Sequence, residues 1–192
     1  MSAPLKAQLK LVPSEPRAET VENDAELLRQ VAAGDLEALG QLYDRYFPAV
    51  LAFCRRAAGQ DAEDLAQETF LTAVRAAPNY DGRDVCRPWL LGIAARCVLH
   101  KRRSFARLQA LLQRFAQGAP AVQHPDPDLT RRLEQALGEL PATKRVVLIL
   151  AEAEGLTGEE IAKQLGIPVG TVWTRLHHAK RQLRGLLGEE WT

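Results

Sequence analysis

The 192-residue chain has few cysteines and no long apolar run, and each shortage narrows what the protein can be. Cys54, Cys86 and Cys97 are odd in number and widely spaced, unlike the paired framework of a disulfide-stabilised secreted protein. No stretch approaches the roughly 20 apolar residues of a membrane-spanning helix, and the N-terminus lacks the apolar core of a secretory signal. We therefore expect reduced thiols, no membrane insertion and a cytoplasmic protein.

Catalytic and cofactor motifs are also missing. The chain shows no serine, histidine and aspartate set, no glycine-rich phosphate loop and no paired acid motif, so we predict neither an enzyme nor a cofactor. A metal or redox site can be drawn from Cys86, Cys97 and His100, because the last two lie close together on one predicted helix. Cys97 belongs to an apolar stripe, however, where cysteine usually behaves as a small hydrophobic residue. The sequence therefore favours no bound metal.

The net charge of +1 hides a strong segregation of acidic and basic residues. Residues 15–71 carry twelve acidic and five basic side chains, whereas residues 81–114 carry two acidic and eight basic ones. The alternation repeats, with eight acidic and four basic side chains in 126–160 and four basic ones without an acid in 171–187. Two basic surfaces suit a polyanion, and the acidic stretches suit other partners. For any single stretch, a solvated charged face is an equally good interpretation.

Helical spacing dominates the apolar pattern, and no alternating strand pattern is visible. Three prolines interrupt residues 1–23, so this segment is predicted to be a flexible tail, with Asp24 as the first helix cap. Asp35 and Asp61 are predicted to cap the next two helices. Residues 117–127 hold three prolines and a glycine, which is a linker composition. The sequence therefore predicts an all-α fold in which two small helical domains of four helices each, 24–116 and 128–188, are joined by a flexible linker.

The most specific motif predicts a helix-turn-helix in the C-terminal domain. Thr157 and Glu160 have capping-box spacing at the start of one helix, and Gly166 permits a sharp turn into a second helix. That second helix has an apolar stripe from Val172 to Leu183 and a polar, cationic opposite face, as in helices that enter the DNA major groove. An ordinary amphipathic hairpin is the alternative. The predicted DNA contacts are Thr171, Trp173, Thr174, Arg175, His177, His178 and Arg181.

A second basic surface is predicted on the helix that begins near Pro88 and runs to about Ser104. Cationic residues suited to a phosphate backbone lie on one side of this helix. The apolar stripe predicted on the other side is Trp89, Leu90, Ile93, Ala94, Cys97 and Val98. The turn-rich loop before it could hold an unstacked base, although local packing of Tyr80 is an equally good interpretation. The predicted DNA contacts of this surface are Asn79, Tyr80, Arg83, Arg96, His100, Lys101 and Arg103.

The helix that begins near Asp61 has an acidic, amphipathic side that cannot favour DNA. Such a strip suits a protein partner, and plain solvation of a surface helix is the alternative. The residues that form this side and are predicted to bind a protein are Asp64, Gln67, Glu68 and Leu71.

Taken in order, these motifs resemble the extracytoplasmic-function group of bacterial RNA polymerase sigma factors. The resemblance covers nearly everything after residue 24. It implies that 24–116 is sigma region 2 and 128–188 is sigma region 4, and it implies no catalytic residue. The matching strings are Asp64 to Phe70 (DLAQETF), Trp89 to Ala94 (WLLGIA), Leu140-Pro141, Glu159 to Ala162 (EEIA) and Pro168 to Val172 (PVGTV), followed by Arg175-Leu176.

The resemblance also assigns partners and roles. It implies that the acidic strip binds the clamp helices of the largest subunit of core RNA polymerase, and that the C-terminal recognition helix reads duplex DNA of the upstream promoter element. The loop from Asn79 to Cys86 and the helix after Pro88 would read and open the start-proximal element by capturing the unpaired non-template strand. An anti-sigma factor is a further implied partner. The alternative is a stand-alone helix-turn-helix regulator that binds DNA without the polymerase.

Overall fold

The computed structural model describes residues 19–80, 86–113 and 129–187. Residues 1–18 of the predicted tail, Arg83 and the linker 117–127 lie outside the described residues. Residues 19–23 of that tail are helical, which corrects its predicted end. Within these ranges every regular element is helical, which confirms the predicted all-α fold. None of these helices is long and apolar enough to cross a membrane. The N-terminal helices are α1 (Glu19–Ala32), α2 (Leu36–Ala58), α3 (Ala62–Ala76) and α4 (Cys86–Gln113), and the C-terminal helices are α5 (Leu129–Glu139), α6 (Ala142–Glu152), α7 (Gly158–Leu165) and α8 (Val169–Leu187).

Asp24 does not cap the first helix, so that prediction is wrong. Helix α1 begins earlier, at Glu19, and Asp24 lies inside it with 1% of its surface exposed. Its carboxylate accepts hydrogen bonds from Arg45 Nη1 at 2.5 Å and from the Tyr46 hydroxyl, because a buried charge needs such partners. Burial and the bond to Asp24 raise the pKa of Tyr46 well above its usual range, so its hydroxyl remains a donor. Asp24 therefore fastens α1 to α2.

The N-terminal bundle is formed by helices α1 to α4 around one apolar core. Asp35 caps α2 as predicted, since its Oδ1 accepts from the Glu37 N–H at 2.8 Å and from the Ala38 N–H at 3.2 Å. Asp61 precedes α3 as predicted, but its side chain makes no cap hydrogen bond and is paired with Lys101 instead. Helix α4 continues to Gln113, beyond the predicted end near Ser104. The largest fully buried side chains of this bundle are Leu28, Leu42, Phe53, Leu65, Leu90, Leu91 and Ile93.

Helix α6 is buried on all sides, which sets it apart from an ordinary surface helix. The five consecutive residues from Val146 to Leu150 are each 0% exposed, whereas a helix with one covered side would bury only a stripe. The reason is that α6 packs on α2 and α4 of the N-terminal bundle as well as on α7 and α8 of its own. The two bundles consequently share one continuous apolar core.

Polar contacts accompany this shared core. Arg145 of α6, 4% exposed, donates through Nη1 to the Ala57 carbonyl oxygen at 3.0 Å. Its Nη2 donates to the carbonyl oxygens of Gly138 at 2.6 Å and Leu140 at 2.9 Å. Burial, with the nearby charge of Arg102, lowers the pKa of Arg145 to about 10, which leaves the side chain protonated at neutral pH. One arginine thus holds the end of α2 against the C-terminal bundle.

Candidate nucleic-acid and polymerase interfaces

The helix-turn-helix is built by local hydrogen bonds at both ends of α7. Thr157 Oγ1 accepts from the Glu160 N–H at 3.2 Å, and Glu160 Oε2 accepts from the Thr157 N–H at 2.7 Å, which completes the predicted capping box. At the other end Gly166 adopts φ 64° and ψ 40°, a left-handed conformation that its missing Cβ makes accessible. These two signals begin and end α7 and direct the chain into α8, which confirms the predicted motif.

Helix α8 has the two faces that its sequence predicts. The apolar stripe of Val172, Leu176, Ala179 and Leu183 is buried against the rest of the bundle. On the opposite face each of the predicted DNA contacts keeps part of its surface in solvent. Four of these side chains are exposed, namely Trp173, Thr174, His177 and Arg181, and three are half-buried, namely Thr171, Arg175 and His178.

Within this face, cationic and aromatic groups lie close together. The His177 and His178 rings have centroids 5.7 Å apart, and Arg181 Nη2 lies 3.3 Å from His178 Nδ1. The Thr174 hydroxyl donates to the Gly170 carbonyl oxygen at 2.9 Å, so it is already bonded to its own helix. The histidines and Arg181 are therefore the polar groups of this face best placed to contact phosphate or base edges.

Trp173 presents half of its indole on the same face and is 52% exposed. Its ring lies over Gly158, where an added Cβ would be only 2.7 Å from Trp173 Cζ2. A larger residue there would displace the indole from this position. Nothing in the sequence pointed to this contact beyond the low helix propensity of glycine at Gly158.

The residues predicted to bind the start-proximal element differ from one another in solvent exposure. Asn79 is exposed, whereas Tyr80 is half-buried, with its ring centroid 5.1 Å from that of Trp89. This is the local packing that the sequence also allowed. Arg83, the remaining loop residue of the predicted set, lies outside the described part of the chain.

On α4 the predicted cationic surface is divided. His100 and Arg103 are exposed. Arg96 is exposed as well, but its guanidinium donates to the Gln164 carbonyl oxygen of α7, and partial burial lowers its pKa. Lys101 Nζ lies 2.9 Å from Asp61 Oδ1, and this bond raises the pKa of the lysine. In this conformation two members of the set are thus already bonded to other parts of the chain.

The acidic strip on α3 is fully accessible. Asp64, Gln67, Glu68 and Leu71 are all exposed, and the Leu71 residue has 61% of its surface in solvent. Lys101 borders the strip, with its Nζ 3.8 Å from Asp64 Oδ2. An exposed leucine among acidic and amide side chains is a surface suited to a protein rather than to a polyanion.

The three cysteines lie in the core of the N-terminal bundle. Burial raises the pKa of the Cys54 thiol to about 12 and also raises the pKa values of Cys86 and Cys97, so all three are protonated at neutral pH. A protonated thiol is a poor metal ligand. Among the side chains that the structure describes, no group of three or more His, Cys, Asp or Glu residues could hold a metal ion.

The residues that the sequence analysis missed lie between the two bundles. Gly92 and Gln164 bring α4 and α7 together, and Glu154 accepts hydrogen bonds from Arg56 and Arg87. A charged residue inside or beside an apolar run is the one sequence signal for such positions, and it applies to Arg145 and Glu154. It does not name their partners, because those lie far away along the chain.

Family comparisons match both bundles in chain order. The family model described as Sigma-70 region 2 matches residues 42–108, and the one described as Sigma-70, region 4 matches residues 130–183. The RNA polymerase sigma factor CarQ of Myxococcus xanthus is 35% identical over 161 residues, which cover 81% of this chain and 92% of CarQ. The ECF RNA polymerase sigma factor SigW of Bacillus subtilis is 31% identical, with 82% of this chain and 92% of SigW covered.

A solved structure also resembles the chain as a whole. It contains the sigma factor RpoE in complex with the anti-sigma factor NepR from Bartonella quintana. The similarity has a TM-score of 0.63 and 26% sequence identity, and it covers 78% of this chain and 96% of that one. The likeness therefore extends over both bundles and not only over the helix-turn-helix.

Proposed function

Because the chain belongs to the extracytoplasmic-function RNA polymerase sigma factors, which direct the polymerase to promoters, we propose specific roles for its surfaces. The acidic strip of Asp64, Gln67, Glu68 and Leu71 binds the clamp helices of the largest polymerase subunit. The exposed face of α8 binds the upstream promoter element. The surface formed by Asn79, Tyr80, Arg83 and the cationic residues of α4 binds the start-proximal element and its unpaired non-template strand.

One observation carries this proposal most directly. A cationic recognition face without an acidic residue and an acidic, leucine-bearing strip are both exposed on the same chain, on different bundles. The first suits DNA and the second suits a protein, so the molecule can bridge the two. A stand-alone regulator would need only the helix-turn-helix and is not favoured, because the similarity to sigma factors also includes residues 42–108 of the N-terminal bundle.

The proposed function is carried by binding and involves no catalytic step by this chain. Contacts to unpaired bases offset the cost of unstacking, which is a few kcal/mol per base. Contacts to phosphates make DNA affinity fall steeply with salt. The protein acts in the cytoplasm with the polymerase, and an anti-sigma factor is its proposed inhibitory partner, as the relative RpoE is bound by one. We propose two domains, 24–116 and 128–188, and α1 extends the first of them back to Glu19.

Reconstituted transcription tests the proposal. Core polymerase and the purified chain are incubated with fragmented bacterial DNA, the bound promoters are sequenced, and run-off transcripts from them are measured. We expect transcripts that depend on both the chain and the promoter. Failure to obtain a promoter-dependent transcript from any recovered sequence would contradict the proposal.

Charge reversal on the acidic strip tests separately whether this strip binds core polymerase. Glu68→Lys should lower affinity for core polymerase about tenfold, since it places a cation where the strip offers an anion. Glu134→Lys is the matched control, because Glu134 is also an exposed helical glutamate but lies on α5 of the C-terminal bundle, away from the strip. Equal losses in the two variants would show that overall charge, rather than this strip, determines binding.

A further inference from the structure

A cleft lined by both bundles collects arginines that the proposed function does not use. Its volume is about 490 Å³, within the range of about 300–1,000 Å³ that small-molecule sites occupy. The charged residues that line it are one glutamate, Glu134, and four arginines, Arg55, Arg56, Arg102 and Arg145. This cationic cleft is therefore suited to an anion rather than to a neutral molecule.

Arg145 is the most deeply buried of these cations. It is 4% exposed, and the hydrogen bonds that it makes within the described residues go to backbone carbonyl oxygens, which are neutral. Its Nε is buried without a partner among those residues, so part of its desolvation cost is not recovered. After burial, the nearby charge of Arg102 is the second cause of its lowered pKa, so the two guanidinium groups repel each other. An anion in the cationic cleft can supply an acceptor and offset this repulsion.

The other arginines of the cationic cleft have weak or shared compensation. Arg56 and Arg87 share one carboxylate, that of Glu154. The Nε of Arg56 is also buried without a hydrogen-bond partner among the described residues. Arg55 lies 3.9 Å from Glu63, but the two side chains are 64% and 75% exposed, and such surface pairs contribute little. The cleft consequently keeps positive charge that a bound anion can neutralise.

A second cleft, of about 380 Å³, adjoins the first and differs from it in chemistry. The lining residues that the two share are Ala58, Gln60 and Arg102. Leu65 and Val98, from the apolar core of the N-terminal bundle, form part of its wall. Its acidic residue, Asp61, is paired with Lys101 at 2.9 Å. The second cleft therefore offers apolar surface beside the arginines of the first, which suits a ring attached to an anionic group.

We propose that the two clefts form one binding site for a phosphorylated small molecule of the nucleotide class. Arg55, Arg102 and Arg145 hold its phosphate groups, because the planar guanidinium fork matches phosphate oxygens and bonds them in pairs. The apolar wall of the second cleft holds its ring. None of these residues belongs to the surfaces proposed for polymerase or promoter DNA, so the inference goes beyond the proposed function and is measured without either partner.

Isothermal titration calorimetry on the full-length chain tests the site with two probes, pyrophosphate and magnesium-free ADP, at an ionic strength fixed by sodium chloride. Both carry two phosphate groups, and only ADP carries a ring. We expect one molecule of either probe per chain, and about tenfold tighter binding of ADP because its ring buries apolar surface. Failure of both to bind would overturn the site. Equal affinities would overturn the role of the apolar wall.

Arg102→Gln locates the phosphate groups. Arg102 is exposed and lines both clefts, so its replacement should weaken ADP binding about tenfold without disturbing the fold. Adding Arg55→Gln should weaken binding further. Arg75→Gln is the matched control, because Arg75 is an exposed helical arginine that lines neither cleft. Losses as large in the control would show attraction to overall charge and would overturn the inference.

Gln60→Glu tests the junction of the two clefts. The substitution keeps the size of an exposed side chain and adds a negative charge beside the proposed phosphates, so it should weaken both probes at least tenfold. Gln135→Glu, at an exposed position of α5 outside both clefts, should bind like the parent chain. Circular dichroism checks that each variant keeps its helicity. Unchanged binding by a folded Gln60→Glu chain would contradict the proposed site.

Discussion

Helices α4 and α8 carry similar sequence patterns, and the folded protein uses them differently. Each has an apolar stripe at helical spacing and cationic side chains on the opposite face. In α8 that opposite face stays accessible, with His177 and Arg181 exposed. In α4 Arg96, His100 and Arg103 are also exposed, but the Arg96 guanidinium is bonded to a carbonyl oxygen of α7. A cationic pattern in the sequence therefore predicts which side of a helix faces away from the core of its own bundle. It does not predict whether the other bundle contacts that side.

The physical difference lies in the surroundings of each helix. Helix α8 is near the end of the described chain and packs on its own bundle through one side. Helix α4 lies between the core of its own bundle and the C-terminal bundle, so even Gly92 and Ala95, outside the predicted stripe, are buried. If the contact between the bundles were broken, the cationic face of α4 should become as free to bind DNA as that of α8. Four substitutions test this comparison, in order of decreasing expected effect: at Arg145, Arg181, Arg96 and Lys101.

Arg145→Met should have the largest effect on stability. Methionine has a similar length but cannot donate to the three carbonyl oxygens that Arg145 binds, one of which belongs to Ala57 of the N-terminal bundle. We expect a loss of about 3 kcal/mol in the free energy of unfolding, measured by urea denaturation. Lys144→Met in the same helix is the control. A loss of stability no larger than that of the control would mean that Arg145 does not hold the two bundles together.

Arg181→Ala and Arg96→Ala compare the two helices directly. On a duplex carrying the upstream element recovered from the transcription experiment, Arg181→Ala should weaken binding of the free chain about tenfold, because it removes an accessible cation from the recognition face. Arg96→Ala should leave this duplex affinity unchanged, since α4 is not used in that complex. Fluorescence anisotropy measures both. Equal losses would show that α4 already contacts duplex DNA in the free chain.

Lys101→Met should have the smallest effect. Its ion pair with Asp61 is solvent-exposed, with 38% and 52% of the two side chains accessible, so screening leaves it little net energy. We expect a change of no more than about 0.5 kcal/mol in the free energy of unfolding, measured beside Arg145→Met. A loss comparable to that of Arg145→Met would show that the border between α3 and α4 is a structural contact and not an accessible surface.

The sequence predicted most reliably the features that depend on neighbouring residues. The Asp35 cap, the Thr157 capping box and the left-handed Gly166 each involve atoms within a few positions, so residue identity and spacing were sufficient. The wrong prediction, Asp24 as a cap, failed for the opposite reason. Its carboxylate is hydrogen-bonded to Arg45 and Tyr46 in the next helix, and such a partner cannot be predicted from the residues adjacent to Asp24.

The amino-acid sequence by itself determined the helices, the buried stripe of α8 and the polar faces, because periodicity decides which side chains share one side of a helix. Only the tertiary structure decided which of those faces another domain covers. Gly92 against Gln164, and Glu154 between Arg56 and Arg87, join residues that are distant along the chain, and such contacts depend on the shape and charge of two assembled surfaces rather than on local spacing.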